Sequence, residues 1–268
     1  LGNINDFNPN TDSVDYSEMN ELDRWALYKM TNLIKKVNEA YSSYEFHMMF
    51  HAIHNFCVVD MSNFYLDIIK DRLYTSKADS KERRAAQTVM YEILQSLVRM
   101  LTPALAFTTE EIWQFMPHRD GDDVESVQLN NWPEVNEKYL DTALAEKWDK
   151  ILALRSDVSK ALEIARTSKT IGHSLNAKVT IYADGSDYDF IKSIEEDLVT
   201  IFIVSGAEVK KLQEAPEGAM NGEEMTAIKI SVEQAPGEKC ERCWMFSEYV
   251  GKDEKHPTLC KRCAEVVD

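Results

Sequence analysis

The chain has 268 residues with 30 Lys plus Arg against 46 Asp plus Glu, a net charge of −16, with 44% apolar and 10% aromatic residues. That balance excludes a general nucleic-acid-coating protein and an anionic membrane surface, while the apolar content excludes a disordered or fibrous chain. No apolar run approaches the roughly 18 to 20 residues of a membrane-spanning helix, the longest being Leu198 to Val204. The chain opens on Leu1-Gly2-Asn3 without an initiator Met or a signal segment, so a piece of a longer protein is expected.

The acidity is unevenly spread. Residues 1–19 carry four acids and no base, residues 20–100 carry 11 bases and 10 acids, residues 101–235 carry 13 and 25, and residues 236–268 carry 6 and 7. The first segment, through Asn8-Pro9-Asn10, is turn-rich and reads as an extended connector over residues 1–16.

Helices follow. Ser17 is expected to cap a helix from Glu18 to about Ala40, with Leu22, Trp25, Leu27, Met30, Leu33, Ile34 and Val37 at near-helical spacing. Ser42-Ser43-Tyr44-Glu45 has the capping-box form and opens a long helix to about Tyr74, whose apolar stripe is Phe46, Phe50, Ile53, Cys57, Met61, Phe64 and Ile68. Ser80 opens another helix, ended by Pro103, and Thr108-Thr109-Glu110-Glu111 is expected to cap a short one containing Ile112, Trp113 and Phe115. These make an up-and-down bundle. Residues 117–135, with Pro117, Gly121 and Pro133, read as a linker, so the bundle with its linker is assigned to residues 17–135.

A further helix is expected from about Tyr139 to Thr167. The period then changes: Ala177 to Tyr182, Glu208 to Leu212 and Thr226 to Val232 alternate like strands, with Asp187 to Ile203 helical between them. Residues 136–235 are therefore a helix plus a small α+β junction, and Ala235-Pro236-Gly237 is a hinge into a last module, residues 236–268. The fold class is mainly α, with an α+β junction and a terminal four-cysteine, ribbon-like zinc module.

That module holds the most specific signal. Cys240-Glu241-Arg242-Cys243 and Cys260-Lys261-Arg262-Cys263 can deliver four thiolates to one tetrahedral Zn²⁺. Four protein ligands leave no open position, so the ion would be structural, and a segment this short folds on the metal rather than on an apolar core. Two disulfides are the other reading; the unpaired Cys57 and the absence of an export signal argue against it. Around the cysteines, Lys239, Arg242, Trp244, Phe246, Lys252, Lys255, Lys261 and Arg262 mix cations with aromatics, the combination that single-stranded nucleic acid needs; alternatively Trp244 packs on the knuckle and the cations offset the thiolates. A second basic run, Lys70, Arg72, Lys77, Lys81, Arg83 and Arg84, is either a phosphate-contacting tip of the bundle or a solvated face. His47, His51 and His54 fall on one helix face, as metal ligands would, but the apolar stripe beside them favours packing. No phosphate loop and no nucleophile–base arrangement is present, so no catalytic residue is assigned.

The chain resembles the C-terminal part of bacterial-type isoleucyl-tRNA synthetases of class I, on Asp6-Phe7-Asn8-Pro9, Glu21-Leu22-Asp23-Arg24-Trp25-Ala26-Leu27, Asp60-Met61-Ser62-Asn63-Phe64-Tyr65-Leu66-Asp67, Lys70-Asp71-Arg72-Leu73-Tyr74, Leu101-Thr102-Pro103, Ala165-Arg166 through Gly172, and Cys240-Glu241-Arg242-Cys243-Trp244. The helical motifs are shared with valyl and leucyl relatives; the four-cysteine module points to the isoleucine enzymes. The resemblance implies an anticodon-binding bundle, a junction and an anticodon-end zinc module. Arg242, Lys261 and Arg262 would meet phosphates, Trp244 would stack on or under a base, and Lys70, Arg72 and Lys77 would touch the stem or loop. It also implies one structural Zn²⁺ here, with ATP and Mg²⁺ used only in the missing catalytic part. The implied partners are tRNA with an isoleucine anticodon and the rest of the synthetase chain, in a cytoplasmic, membrane-free monomer. A zinc-containing helical protein-interaction scaffold, or the equivalent region of a valyl or leucyl enzyme, stays open as an alternative.

Overall fold

The computed structural model describes residues 1–267. It divides into two compact units, Leu1–Ala145 and Glu146–Asp268.

In the first unit, α1 spans Glu21–Ser42 and turns Trp25, Ala26, Leu27, Met30, Leu33, Ile34 and Val37 inward, as the spacing predicts. Its cap is Asn20, whose side chain accepts from the Asp23 amide; Ser17 belongs instead to a separate 3-10 turn capped by Asp15. The expected capping box does not form either. Ser43 ends α1, its hydroxyl donating to the Glu39 carbonyl at 2.9 Å, and Tyr44 takes a left-handed conformation (φ +58°) that separates the two helices.

The long second helix is present but not uniform. The α-helices α2 (Phe46–Asn55) and α3 (Leu66–Thr75) are joined by a π-helical stretch over Phe56–Tyr65. An i→i+5 turn takes one residue more than an α-turn, so the inward face moves along the sequence. The buried positions accordingly run Met49, Ile53, Phe56, then Met61, Phe64, Tyr65 and Ile68, whereas Phe46 and Phe50, expected inward at a constant 3.6-residue period, are exposed. Phe64 meets Trp25 edge to face at 5.0 Å.

Ser80 caps α4 (Lys81–Leu101), its hydroxyl accepting from the Arg83 amide as predicted. The next helix, α5, spans Ala106–Phe115 and starts ahead of the expected Thr108 cap: Thr109 bonds back to the Leu105 carbonyl, and Glu110 takes the Ser126 hydroxyl (2.8 Å) and the Val127 amide (3.2 Å). The segment after α5 is therefore a folded part of the bundle, held also by the Trp113 indole donating to the Asp123 carbonyl and by Arg99 paired with Asp122. The leading residues likewise are no free connector. Ile4 and Phe7 are buried in one cluster with Tyr91, Val98, Trp113, Met116 and Val127.

The second unit is built on α6 (Thr142–Thr167) from Glu146 onward, where Trp148, Ile151, Leu154, Val158, Ala161, Leu162 and Ala165 are buried. Strand β1 (Ala177–Ala183) pairs in parallel with β2 (Gly206–Lys211) through the helices α7 (Gly185–Ser193) and α8 (Glu195–Phe202). A short β3 (Met220–Asn221), absent from the sequence reading, and β4 (Lys229–Gln234) complete the sheet in the order β2-β1-β4-β3, with Val179 opposite Val232 and Ile181 opposite Ile230. Buried Asp157 on α6 accepts the amides of Glu223, Glu224 and Met225 at 2.8 to 3.0 Å and so fixes the turn between β3 and β4. The terminal module consists of a two-stranded ribbon, β5 (Glu238–Lys239) and β6 (Phe246–Ser247), and the helix α9 (Lys261–Val267).

Candidate metal centre and nucleic-acid interface

The β5–β6 ribbon brings Cys240 and Cys243 into one knuckle, and the start of α9 brings Cys260, the residue before the helix, and Cys263, in its first turn, against it. All four sulfurs lie within 4.8 Å of one another, with Cys240, Cys260 and Cys263 buried. A tetrahedral ion with four sulfurs at about 2.3 Å requires sulfur–sulfur separations of about 3.8 Å. The Cys243 and Cys260 sulfurs are 3.7 Å apart. The donor set therefore fits Zn²⁺, and all four cysteines are free thiols.

The knuckle also carries its own electrostatic support. Burial raises the Cys240 thiol, but the amides around it, those of Cys243, Cys260 and Arg242, outweigh burial and bring it down to about 6. Burial, reinforced by the neighbouring Cys260 and Cys263 sulfurs, holds Cys243 far above the ordinary thiol range, and burial raises Cys263. Backbone amides aimed at a sulfur and a cation among four clustered thiols both favour the thiolate form that a metal needs.

The side chains proposed for RNA separate by environment. Trp244 sits at φ +67° at the end of the first knuckle and is 59% exposed; the side chains packed on the buried cysteines are Val250 and Leu259 instead. Lys239 places its ammonium 4.7 Å from the centre of that ring. Arg242 points the other way and donates to the Cys263 sulfur at 3.9 Å, which makes it the cation that offsets the thiolates. Lys261 and Arg262 are exposed on the first turn of α9, where the Arg262 guanidinium also reaches the Met245 sulfur at 3.8 Å.

On the bundle, the expected basic tip is largely neutralised. Arg72, expected at the RNA, is instead a half-buried structural residue: its guanidinium grips buried Asp23 in two bonds of 2.8 and 2.7 Å, and the Tyr65 hydroxyl completes the site at 2.8 Å from the same carboxylate. Burial, with the Asp23 charge added, drives the Tyr65 phenol well above its usual range. Lys81 pairs with Glu18, and Arg83 and Arg84 pair with Asp6, so the acids of the leading segment cover these cations. Lys70 stays exposed beside Asp67, and Lys77 is exposed.

The histidine face holds no metal cluster among the described residues; His51 and His54 are exposed against the Phe50 ring, His54 stacked at 6.0 Å. The outward aromatic surface of Tyr44, Phe46 and Phe50 is what the sequence reading missed, and the five-residue step from Phe56 to Met61 is the only pattern that marks it.

Residues 23–181 match the family described as the anticodon-binding domain of tRNA ligase. The chain belongs to that family. A second match, residues 237–266, is to the zinc finger found in FPG and IleRS, and it brackets the four-cysteine site. Similar curated proteins include the isoleucine–tRNA ligases of Caldanaerobacter subterraneus subsp. tengcongensis and Moorella thermoacetica, each 53% identical, and that of Desulforamulus reducens, 54% identical; the alignments cover 100% of this chain. The chain spans only 29% of the first two relatives and 28% of the third. For this member of the anticodon-binding family, no described helix is long and apolar enough to cross a membrane.

Proposed function

We propose that this chain is the anticodon-end, tRNA-holding part of an isoleucine–tRNA ligase. The observation that carries the reading is the pairing, in one chain, of an anticodon-binding domain over 23–181 with a zinc finger of the isoleucine-enzyme type over 237–266. Residues 136–235 serve as the junction and 236–268 as the zinc module. ATP and Mg²⁺ would be used in a part of the synthetase that this chain does not span, and the fragment alone would not aminoacylate. The setting is a cytoplasmic monomer, where reducing conditions keep the cysteines as metal ligands.

In this reading Cys240, Cys243, Cys260 and Cys263 hold one structural Zn²⁺, which when bound supplies folding energy to the ribbon and α9 and no chemistry. The protein's own residues do the recognition. Trp244 offers its exposed ring to an unstacked base, and the exposed cations Lys239, beside that ring, and Lys261 and Arg262, on α9, are offered to phosphates of the strand. Arg242 acts through the sulfur cluster, holding the knuckle that presents Trp244. Lys70 and Lys77 are the bundle's contribution.

The test is a filter-binding titration with tRNA bearing an isoleucine anticodon and an anticodon-swapped control. Preferential binding of the first, with a Trp244→Ala loss of roughly 1–3 kcal/mol, is expected. Equal affinity for both RNAs, or no binding by either, would count against the proposal.

A further inference from the structure

The second unit contains one region whose composition departs from its surroundings. Residues 101–235 hold 25 acids and 13 bases, yet the 20 residues from Ile164 to Ala183 contain no Asp or Glu and three bases. This acid-free stretch covers the end of α6, the loop after it and β1. A cavity of about 410 Å³ opens there, lined by Arg166, Lys169, Thr170, Gly172, Asn176 and Gln234 among others. At about 30 Å³ per water-sized group, it has room for about a dozen, enough for a phosphodiester and its sugar.

Lys169 at the rim is held at φ +61°. The amides of Thr170 (2.9 Å) and Ile171 (3.3 Å) both return to the Ala165 carbonyl, so Lys169 occupies the left-handed position that ends a helix and that glycine fills most readily. A lysine there is less stable than glycine, and its exposed ammonium forms no ion pair among the described residues. Arg166, by contrast, is paired with Glu163, and Lys178 with Glu208 and Glu233. The other polar groups are arranged around the opening: Asn176 accepts the His173 amide through Oδ1 at 2.7 Å, leaving its NH₂ for another partner, and the Thr170 hydroxyl lies 3.0 Å from that of Ser168.

The cavity adjoins the zinc module. The Asn176 carbonyl accepts the Ala235 amide at 2.7 Å, immediately before the hinge, and Ser205 bridges the two parts by donating to the Leu175 carbonyl (2.6 Å) and accepting the Phe246 amide (2.7 Å).

We propose that this cavity is a phosphodiester subsite for the RNA strand, with Lys169 as its charged contact and Thr170 and Asn176 as hydrogen-bonding partners. The inference rests on the tRNA-holding reading above and extends it to a place outside the zinc knuckle and the bundle.

Glycine provides an unusually clean test, because Lys169→Gly removes the cation while easing the backbone. The variant keeps or raises its thermal midpoint, so a loss of binding is not a loss of fold. With an anticodon-arm RNA as the probe, removing one phosphate contact weakens binding about fourfold at 0.15 M salt and about tenfold at 0.05 M, and lowers the slope of log K against log salt by about 0.7 to 0.9. Lys169→Arg restores both. K169G binding like the wild type at both salts, or a loss that K169R does not restore, overturns the subsite and leaves the tRNA-holding function standing. Absence of RNA binding by the wild type overturns both.

Discussion

Arg72 offers the sharpest contrast between a surface contact and an internal support, and Arg72→Met separates them. Asp23 is 0% exposed and its carboxylate has two partners, the bidentate Arg72 guanidinium and the Tyr65 hydroxyl. Methionine fills much of the arginine's volume but leaves a buried negative charge facing one hydroxyl. With charge centres about 4 Å apart and an effective dielectric constant of about 20, the lost attraction is about 4 kcal/mol, within the range of about 3–5 kcal/mol for breaking a buried pair from one side. Asp23→Asn combined with Arg72→Met removes both charges and keeps an acceptor for Tyr65, so the double variant costs no more than about 1–2 kcal/mol. The coupling between the two changes is then at least about 2 kcal/mol. Because the chain has two units, the cost is read locally, by hydrogen exchange of peptides from α1 and α3 under native conditions. Burial shields the pair from salt, so the result is the same at low and high ionic strength. A cost below about 1 kcal/mol in Arg72→Met, accompanied by weakened tRNA binding, would refute the structural assignment and return Arg72 to the RNA surface.

Removing zinc with a strong chelator should release about one ion per chain and abolish exchange protection across 237–267, while α1 to α5 keep theirs; release of none from protein purified under reducing conditions would defeat the tetrathiolate assignment. Asp6 is lowered from 3.8 to about 2, first by its bond to Arg83, against burial, and also by Gln87 and Arg84. Its charged form is the one favoured in the folded chain, so its contribution is complete above about pH 4 and fades as pH falls toward 2; protection of residues 1–16 should show that loss in the wild type and not in Asp6→Asn. Gly222→Ala would put a Cβ 2.2 Å from the Met225 carbonyl oxygen and 2.9 Å from Asp157 Oδ2, and should cost about 1–3 kcal/mol by thermal unfolding of the second unit; a neutral result would mean that the Asp157 turn is not rigid.

The four-cysteine cluster was legible because two Cys-x-x-Cys pairs at this spacing can close on one point, and the helices because long apolar stripes have few alternative readings. Three features resisted for physical reasons. The π-helical stretch changes the period inside what reads as one helix, so a stripe drawn at constant pitch puts Phe46 and Phe50 on the wrong side. Turn-rich residues 1–16 and 117–135 look like linkers because their backbone is irregular, yet Ile4, Phe7 and Val127 are core residues; Arg83, Arg84 and Gln87 bond the first segment, and Glu110, Arg99 and Trp113 the second. Charge runs were least legible of all. Whether Arg72 faces solvent depends on a partner far away in sequence, Asp23, which no local pattern reveals.

The same point governs how an acidic chain can hold an anion. Of the basic run on the bundle, Arg72, Arg83 and Arg84 are held by acids of α1 and the leading segment and Lys81 by Glu18, whereas Lys70 pairs with its neighbour Asp67 on α3 and Lys77 is exposed; Lys70 and Lys77 are the cations of the tip proposed for RNA. In the second unit the exposed cations proposed for RNA are Lys239, Lys261, Arg262 and Lys169. Six candidate contacts set an upper slope of about −4 to −5 for log K against log salt, well short of a protein that coats a polyanion. If RNA binds as proposed, the remaining acids would act by exclusion: a phosphate strand displaced from these few places would meet carboxylates, so the negative surface would restrict where RNA can lie.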